Sequence, residues 1–370
     1  MLNAGRTSVC WRNKRKDNNM ANGNKIITYK GFDKDFKCLG FQYEVGKTYE
    51  MDGNIESCRR GFHACESPME VFDYYDMQTS RFAVVEQSGK IDKEEGSTKV
   101  CSSCIKIKEE IKIADIIDLG VEWLKKITSP SKTKVNNFSI DGDDAQIVSL
   151  DECGQTVSLD DCCQIGSSGN NVKIGSSGDF NRISSLGGNT LIGSSGDYNR
   201  IASSGYGCQI GSSGDYTSIC SSGDCTLIAS SGKYAEITSS RFNAKIGSSG
   251  YSAKIGSSGY TAHICSTGFS AQIASSGDEA KIYSSGCNTQ IVSAGNFAKI
   301  VSRGRNSVVI CTGCGSIVKA ALGSWITLSE WGMVDDEWKP VCVKTEQVDG
   351  KRIKADTYYK LIDGEFEEVE

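Results

Sequence analysis

Seventeen cysteines, two histidines and two sets of aspartates are the residues in this 370-residue chain whose chemistry asks for an explanation first. Cys101-Ser-Ser-Cys104 and Cys311-Thr-Gly-Cys314 each have the spacing of half a tetrahedral zinc site. They lie in different parts of the chain, and His63 and His263 are the only histidines, so no metal centre is expected. Cys163, Cys208, Cys220, Cys225, Cys265, Cys287 and Cys311 fall in slots that otherwise take small residues. That is the pattern of packing thiols in a reducing compartment. A Ser-His-Asp set, a phosphate loop or a metal triad cannot be assembled from these residues. The expectation is a protein without catalytic residues, cofactor or metal.

Two other constellations point to binding. Asp179-Phe180-Asn181-Arg182 recurs as Asp197-Tyr198-Asn199-Arg200, and Asp215-Tyr216 and then Tyr234 continue the aromatic series, always 18 residues on. Stacking of identical side chains accounts for the aromatics. A column of like charges gains nothing by stacking, so Asp179, Asp197 and Asp215 need a use, with Arg182 and Arg200 as the available neutralising charges. Contact with a partner is the alternative reading of this ladder. The second constellation is Asp141, Asp143, Asp144, Asp151, Glu152, Asp160 and Asp161, with no Lys or Arg from 141 to 161. It suits either a mimic of nucleic-acid phosphates facing a basic partner or a solvated cap over an open sheet edge.

The elements that must position these residues follow from a repeat. Ile165, Ile174, Ile183 and so on to Ile300 recur every nine residues, with looser matches from Phe138 to Val318. Each unit alternates small, long or polar, Ile, any residue, Ser, and then turns at Ser-Gly. Alternation with period two is a strand, and the Gly at the corner is expected to supply a positive φ. The 18-residue recurrence of the Asp-aromatic segments puts two nonapeptides in each coil. The fold expected is mainly β: a two-faced parallel β-solenoid with a small N-terminal α+β module and a C-terminal β cap. Inward Ser hydroxyls then need partners in the adjacent coil or the turn backbone. Calcium-binding β-rolls share the nonapeptide, but the Asp they need two residues before the aliphatic is here Ala, Thr, Asn, Cys or Val.

Composition agrees with a thin repeated core. Gly is 41 against 3 Pro, hydrophobic residues are 38% and charged residues 24%. No apolar run reaches the roughly 18–20 residues that span a bilayer, and the start holds no apolar stretch of signal-peptide length. A net charge of −5 argues against a general nucleic-acid binder.

Five segments are expected: a disordered basic leader (1–24), the α+β module (25–128), a linker (129–137), the solenoid (138–327) and a cap of hairpins (328–370). Ile26–Tyr29, Phe41–Val45, Gly61–Cys65, Arg81–Glu86 and Ile105–Ile107 have strand character, with a short helix Pro68–Tyr75 and a longer one Asp115–Ile127. Trp325, Trp331 and Trp338 are placed to cover the open end of the rod, and Asp349-Gly350 and Asp363-Gly364 to turn hairpins.

Tyr29-Lys-Gly-Phe-Asp33, Gly40–Tyr49, Gly61-Phe-His-Ala-Cys65 with Pro68, and in the tail Leu322–Thr327 and Val343–Asp356, resemble a family of uncharacterised phage- and prophage-encoded proteins. Its members join such a module to Gly-Ser-rich repeats. The resemblance implies a mobile-element origin and action in the cytoplasm of a bacterial host, and brings no activity. From it comes the expectation of a non-catalytic counter-defence inhibitor. Its partner would be a host protein or nucleoprotein complex such as a nuclease or CRISPR-type effector, occluded at its working surface. Direct nucleic-acid and membrane binding are not expected, and the cap is a possible homo-oligomer contact. Pentapeptide-repeat gyrase inhibitors are an architectural analogy only. A virion- or tail-associated structural protein is one alternative. The other is an ADP-ribosyltransferase-like modifier, because Tyr29-Lys30-Gly31, Gly61-Phe62-His63 and Glu86 are similar to that family's segment order, with Lys30 departing from it.

Overall fold

The computed structural model describes residues 25–57, 59–76, 79–93, 98–128, 137–139, 146–150 and 153–369. The leader, most of the linker and Asp141, Asp143, Asp144, Asp151 and Glu152 lie outside the described residues.

The nine-residue units form a solenoid with two strands per coil. Every strand pairs in parallel with the one 18 residues away, as in Ile165↔Ile183 and Ile174↔Ile192. Odd and even units therefore build separate sheets. One has thirteen strands and starts at Asn137–Ser139; the other has twelve and starts at Gln146–Ser149. Between them runs one column of Ile side chains, from Ile147 through Ile165 and Ile228 to Ile300, each 2% exposed or less. Among the described residues no helix is long and apolar enough to cross a membrane.

Two details differ from the sequence expectation, and each has a physical reason. The repeated corner Gly does not take a positive φ. The residue two positions later does: Phe180 (56°), Tyr198 (56°), Tyr216 (55°) and Tyr234 (54°). Gly is needed because the coil beneath is too close. A Cβ on Gly178 would lie 2.0 Å from the Asp160 carbonyl oxygen, and one on Gly196 2.0 Å from that of Gly178. The inward Ser column is also less well paired than expected. Ser185 and Ser221 share hydrogen bonds with Thr190 and Thr226 at 3.0 Å, and Ser176 and Ser194 accept from Asn181 and Asn199 at 2.7 Å. Where Ala replaces Thr or Asn five residues later, as at Ala235, Ala244 and Ala262, the hydroxyls of Ser230, Ser239 and Ser257 have no partner. The Ser of the next coil cannot help, because strands about 4.8 Å apart exceed hydrogen-bond reach.

The N-terminal module is a small closed barrel. Its strands are β1 (Ile26–Phe32), β2 (Lys37–Cys38), β3 (Phe41–Gln42), β4 (Thr48–Glu50), β5 (Phe62–Cys65), β6 (Arg81–Lys93) and β7 (Lys99–Ile111). β5, β1, β6 and β7 pair in a ring, and β4 adds to β7. Inside it, Gln87 donates to the carbonyl oxygens of Phe62 (2.7 Å) and Val100 (3.1 Å) and accepts from Thr28 at 2.9 Å. The short helix appears as a 3-10 turn, Met69–Asp73.

Helix α1 (Ile113–Thr128) starts where the Asp115 carboxylate accepts the Lys112 N–H at 2.7 Å. It buries Ile116, Ile117, Val121 and Leu124. Ile116, Ile117 and Val121 share one hydrophobic cluster with Met69 and Phe72 of the module and with Leu227, Ala229, Cys265 and Val301 of the solenoid. The module and the thirteen-stranded sheet thus share one core through α1.

At the far end, Trp325–Val334 continues the twelve-stranded sheet and turns back at Asp335-Asp336 into Glu337–Gln347. Tyr358–Ile362 closes the other sheet antiparallel to Ile317–Ala320 and turns at Asp363-Gly364. The Ile column is stoppered by Val348, Ile353, Tyr359 and Leu361. The tryptophans do not form that plug: Trp325 and Trp338 are exposed, and Trp331 is held outside by its N–H bond to the Thr312 carbonyl oxygen at 3.0 Å. Asp349-Gly350 is a loop rather than a hairpin turn, with Asp349 accepting the N–H groups of Lys351 and Arg352.

Candidate functional site

The solenoid's two broad faces differ in what covers them. In the thirteen-stranded sheet the outward residues after Ile174, Ile192, Ile210, Ile228 and Ile246 are Gly175, Gly193, Gly211, Ala229 and Gly247, and all are buried. A Cβ on Gly193 would lie 2.5 Å from Thr128 Oγ1, and one on Gly247 2.8 Å from Ile117 Cγ1. Glycine here lets α1 lie directly on the sheet. The rim of this contact is polar. Lys245, buried, pairs with Asp73; Lys281 pairs with Asp76 at 2.9 Å; Gln209 donates to Glu70 at 2.8 Å. Outward side chains are therefore not uniformly solvated.

In the twelve-stranded sheet the same outward slots hold Ser184, Ala202, Cys220, Thr238 and Ala274, and all are exposed. The long residues before each Ile, among them Gln164, Arg182, Arg200, Glu236 and Lys254, are exposed too. This face is bare. A groove of about 820 Å³ runs along its edge between Arg182, Arg200 and Ser218 on one side and Phe180, Tyr198 and Tyr216 on the other.

The aromatic ladder is as regular as the sequence implies. Phe180, Tyr198, Tyr216 and Tyr234 stack at 5.0, 4.9 and 4.9 Å between ring centroids. It is also longer. Tyr251 meets Tyr234 edge-on at 5.7 Å, and Phe269 stacks on Tyr251 at 5.7 Å. The 18-residue frame hid this continuation, because the ladder shifts by one corner position between Tyr234 and Tyr251. Where the rings stack face to face, from Phe180 to Tyr234, the ladder offers a partner ring edges and the hydroxyls of Tyr198, Tyr216 and Tyr234.

The Asp column has a use in the fold. Asp161, Asp179, Asp197 and Asp215 each accept the backbone N–H of the residue 18 positions on, at 2.7 to 2.8 Å. Arg182 and Arg200 do not neutralise the column; among the described residues neither forms an ion pair with Asp179, Asp197 or Asp215, and both project from the sheet face. Asp160 and Asp161 are the members of the acidic entry that fall on described residues. The cysteines among the described residues are free thiols. Cys163, Cys208, Cys265 and Cys311 are buried as expected, whereas Cys220 is exposed on the bare face.

The second concave site is a cleft of about 980 Å³ in the N-terminal module, which sequence reasoning did not find. It brings together Tyr29, Lys30, Gly31, Gly61, Phe62 and His63. Lys30 points inward because β1 alternates Thr28, Lys30 and Phe32 toward the barrel. Burial holds its ammonium below the ordinary lysine range. Burial, with Lys30 nearby, also lowers His63, and burial raises the Cys65 thiol to about 12. Glu86 is not part of this cleft. On β6 its neighbours Val85 and Gln87 turn inward, and Glu86 turns outward to Lys25 at 2.9 Å.

DUF7666, a domain of unknown function, matches this chain over residues 26–119. The match spans the barrel, the cleft and the first turns of α1, including Tyr29–Asp33, Gly40–Tyr49 and Gly61–Cys65. No curated protein and no solved structure matches the chain.

Proposed function

We propose that the protein acts by binding, as a rigid non-catalytic scaffold that holds a protein or nucleoprotein partner against its bare sheet face. The observation that carries this reading is the asymmetry of the faces. Among the described residues the chain covers one sheet with its own helix and leaves the other open, edged by six aromatic rings and by Arg182 and Arg200 with no ion pair to the Asp column. A coil whose corners are locked by backbone contacts and Asp–N–H bonds presents those groups at fixed spacing, so little ordering entropy is lost on contact. The partner class to test first is a bacterial nuclease effector, occluded at its working surface. That choice rests on the resemblance to phage-encoded proteins.

The test is a pair of pull-downs from bacterial lysate with tagged wild type and with Ala202→Arg, which places a bulky charge on the bare face. A partner retained by wild type, lost by Ala202→Arg and inhibited in a cleavage assay supports the proposal. A partner retained equally by both proteins, or recovery only in purified virus particles, overturns it.

A further inference from the structure

The cleft in the barrel module is not used by the scaffold reading, and its floor is chemically unusual. Lys30 is 6% exposed. Its ammonium donates to the His63 carbonyl oxygen at 2.8 Å and lies beside the Cys38 thiol. It stands over the rings of Phe32 (5.7 Å) and Tyr43 (6.0 Å). No carboxylate pairs with it among the described residues. A buried ammonium without an anion is costly unless a ligand supplies one.

The walls are flat and aromatic. Phe41, Tyr43 and Tyr49 meet edge-on at 4.9 to 5.4 Å, and Tyr74 and Tyr75 also line the cleft. Phe41 and Tyr74 are half-exposed at the rim, and Lys99 lies 4.4 Å over the Tyr74 ring. Of the three carboxylates that line this cleft, two are engaged within the protein, and the third, Glu50, is exposed. Asp33 accepts the N–H groups of Asp35 and Lys37, Asp76 pairs with Lys281, and Glu50 lies beside the Cys104 thiol. The interior is therefore a cation enclosed by aromatic surface. Its volume of about 980 Å³ accommodates a small molecule, and concave apolar sites with few convergent polar groups are where small molecules bind.

We infer that this cleft binds a flat-ringed anion about the size of a nucleoside monophosphate, with the ring held between the aromatic walls and its phosphate or carboxylate on Lys30. The phosphate and carboxylate sources share this chemistry. Two arms of one experiment separate them.

Isothermal titration of the full chain uses the four common nucleoside 5′-monophosphates in one arm, and 4-hydroxybenzoate and indole-3-carboxylate in the other. Adenosine and inorganic phosphate are the controls. At least one ring-bearing anion binds, and its neutral or ringless control binds at least about tenfold more weakly, the effect of one charge-assisted hydrogen bond. Lys30→Met weakens that anion by a similar factor, Phe41→Ala weakens it less, and Glu86→Ala on the outer face leaves it unchanged. If Lys30→Met does not fold, the wild type is reductively methylated with and without the ligand and read by mass spectrometry. The ligand then protects Lys30 while Lys34 reacts as before. Absence of binding by both arms at 5 mM, equal binding by Lys30→Met, or no protection of Lys30 overturns the inference.

Discussion

The two faces of the solenoid are built from the same nonapeptide, yet one is a core and the other a surface. Both sheets place Ile inward in most coils, and in the coils from Ile165 to Ile273 both follow it with a small outward residue. On the covered face that residue is buried under α1, with Gly193 and Gly247 at contact distance from Thr128 and Ile117. On the bare face Ser184, Ala202 and Thr238 have solvent in the same place. A sheet face is made a core by what lies on it, not by its own pattern. The lesson extends to charge. Lys245 and Lys254 occupy equivalent slots, but the first is buried against Asp73, and the second is exposed beside Glu236.

The largest effect expected should ignore the difference between faces. Gly196→Ala precedes a bare strand and Gly205→Ala a covered one; each new Cβ would meet a carbonyl oxygen of the coil beneath, at 2.0 and 1.9 Å. Both should lose about 4 kcal/mol or more in urea unfolding, since backbone cannot move aside as a side chain does. Unequal losses would show that the faces differ in the coil itself.

The next pair should separate the faces. Gly193→Val drives into Thr128 and the Leu124 carbonyl, and is expected to cost about 1–3 kcal/mol. Gly256→Val on the bare face, whose Cβ meets nothing closer than Thr238 Cγ2 at 3.6 Å, is expected to stay within about 0.5 kcal/mol. Equal effects in thermal melts would mean that α1 does not rest on the sheet.

Between the faces, Thr226→Ala removes the partner of Ser221 and should cost about 1 kcal/mol. Ala262→Thr should give Ser257 the partner it lacks and raise stability by a similar or smaller amount. A loss from Ala262→Thr in the same melts would show that the Ala slots are too tight for Thr.

The last expected effect belongs to the covered side alone and shows only in acid. His263 lies between Lys245 and Lys281 on adjacent strands, and burial, helped by those charges, lowers it to about 4. The unfolded chain protonates near 6.5 while the folded chain resists, so stability is full above about pH 6.5 and declines as pH falls toward 4. His263→Gln should flatten that part of a melting-temperature profile. An unchanged slope would place the acid sensitivity elsewhere.

Much of the rod was legible because its information is local. The nine-residue period, the inward Ile and Ser, and the 18-residue coil follow from side chains within two units of each other, and the pairing Ile165↔Ile183 repeats them. Helix α1 was legible within about two residues from its apolar spacing. The corner Gly was found for a reason that does not hold. A Cβ clash with the coil beneath and a positive φ both select Gly, and only coordinates separate them. The aromatic ladder was half found, because its move from Tyr234 to Tyr251 breaks the fixed spacing. The cleft was missed altogether. Its residues come from β1, β5 and the turn before β6, and Lys30 looks like any surface lysine until ring closure of the barrel buries it.

The sequence by itself determined the repeat, the coil and the thin Ile core, since each depends on contacts between neighbouring units. Tertiary structure alone decided which sheet is covered, where the last coil is stoppered and which lysines lose their water. Those outcomes depend on segments far apart in the chain, such as Ile117 on Gly247 or Tyr359 on the end of the Ile column, and no local period encodes the meeting of two such surfaces.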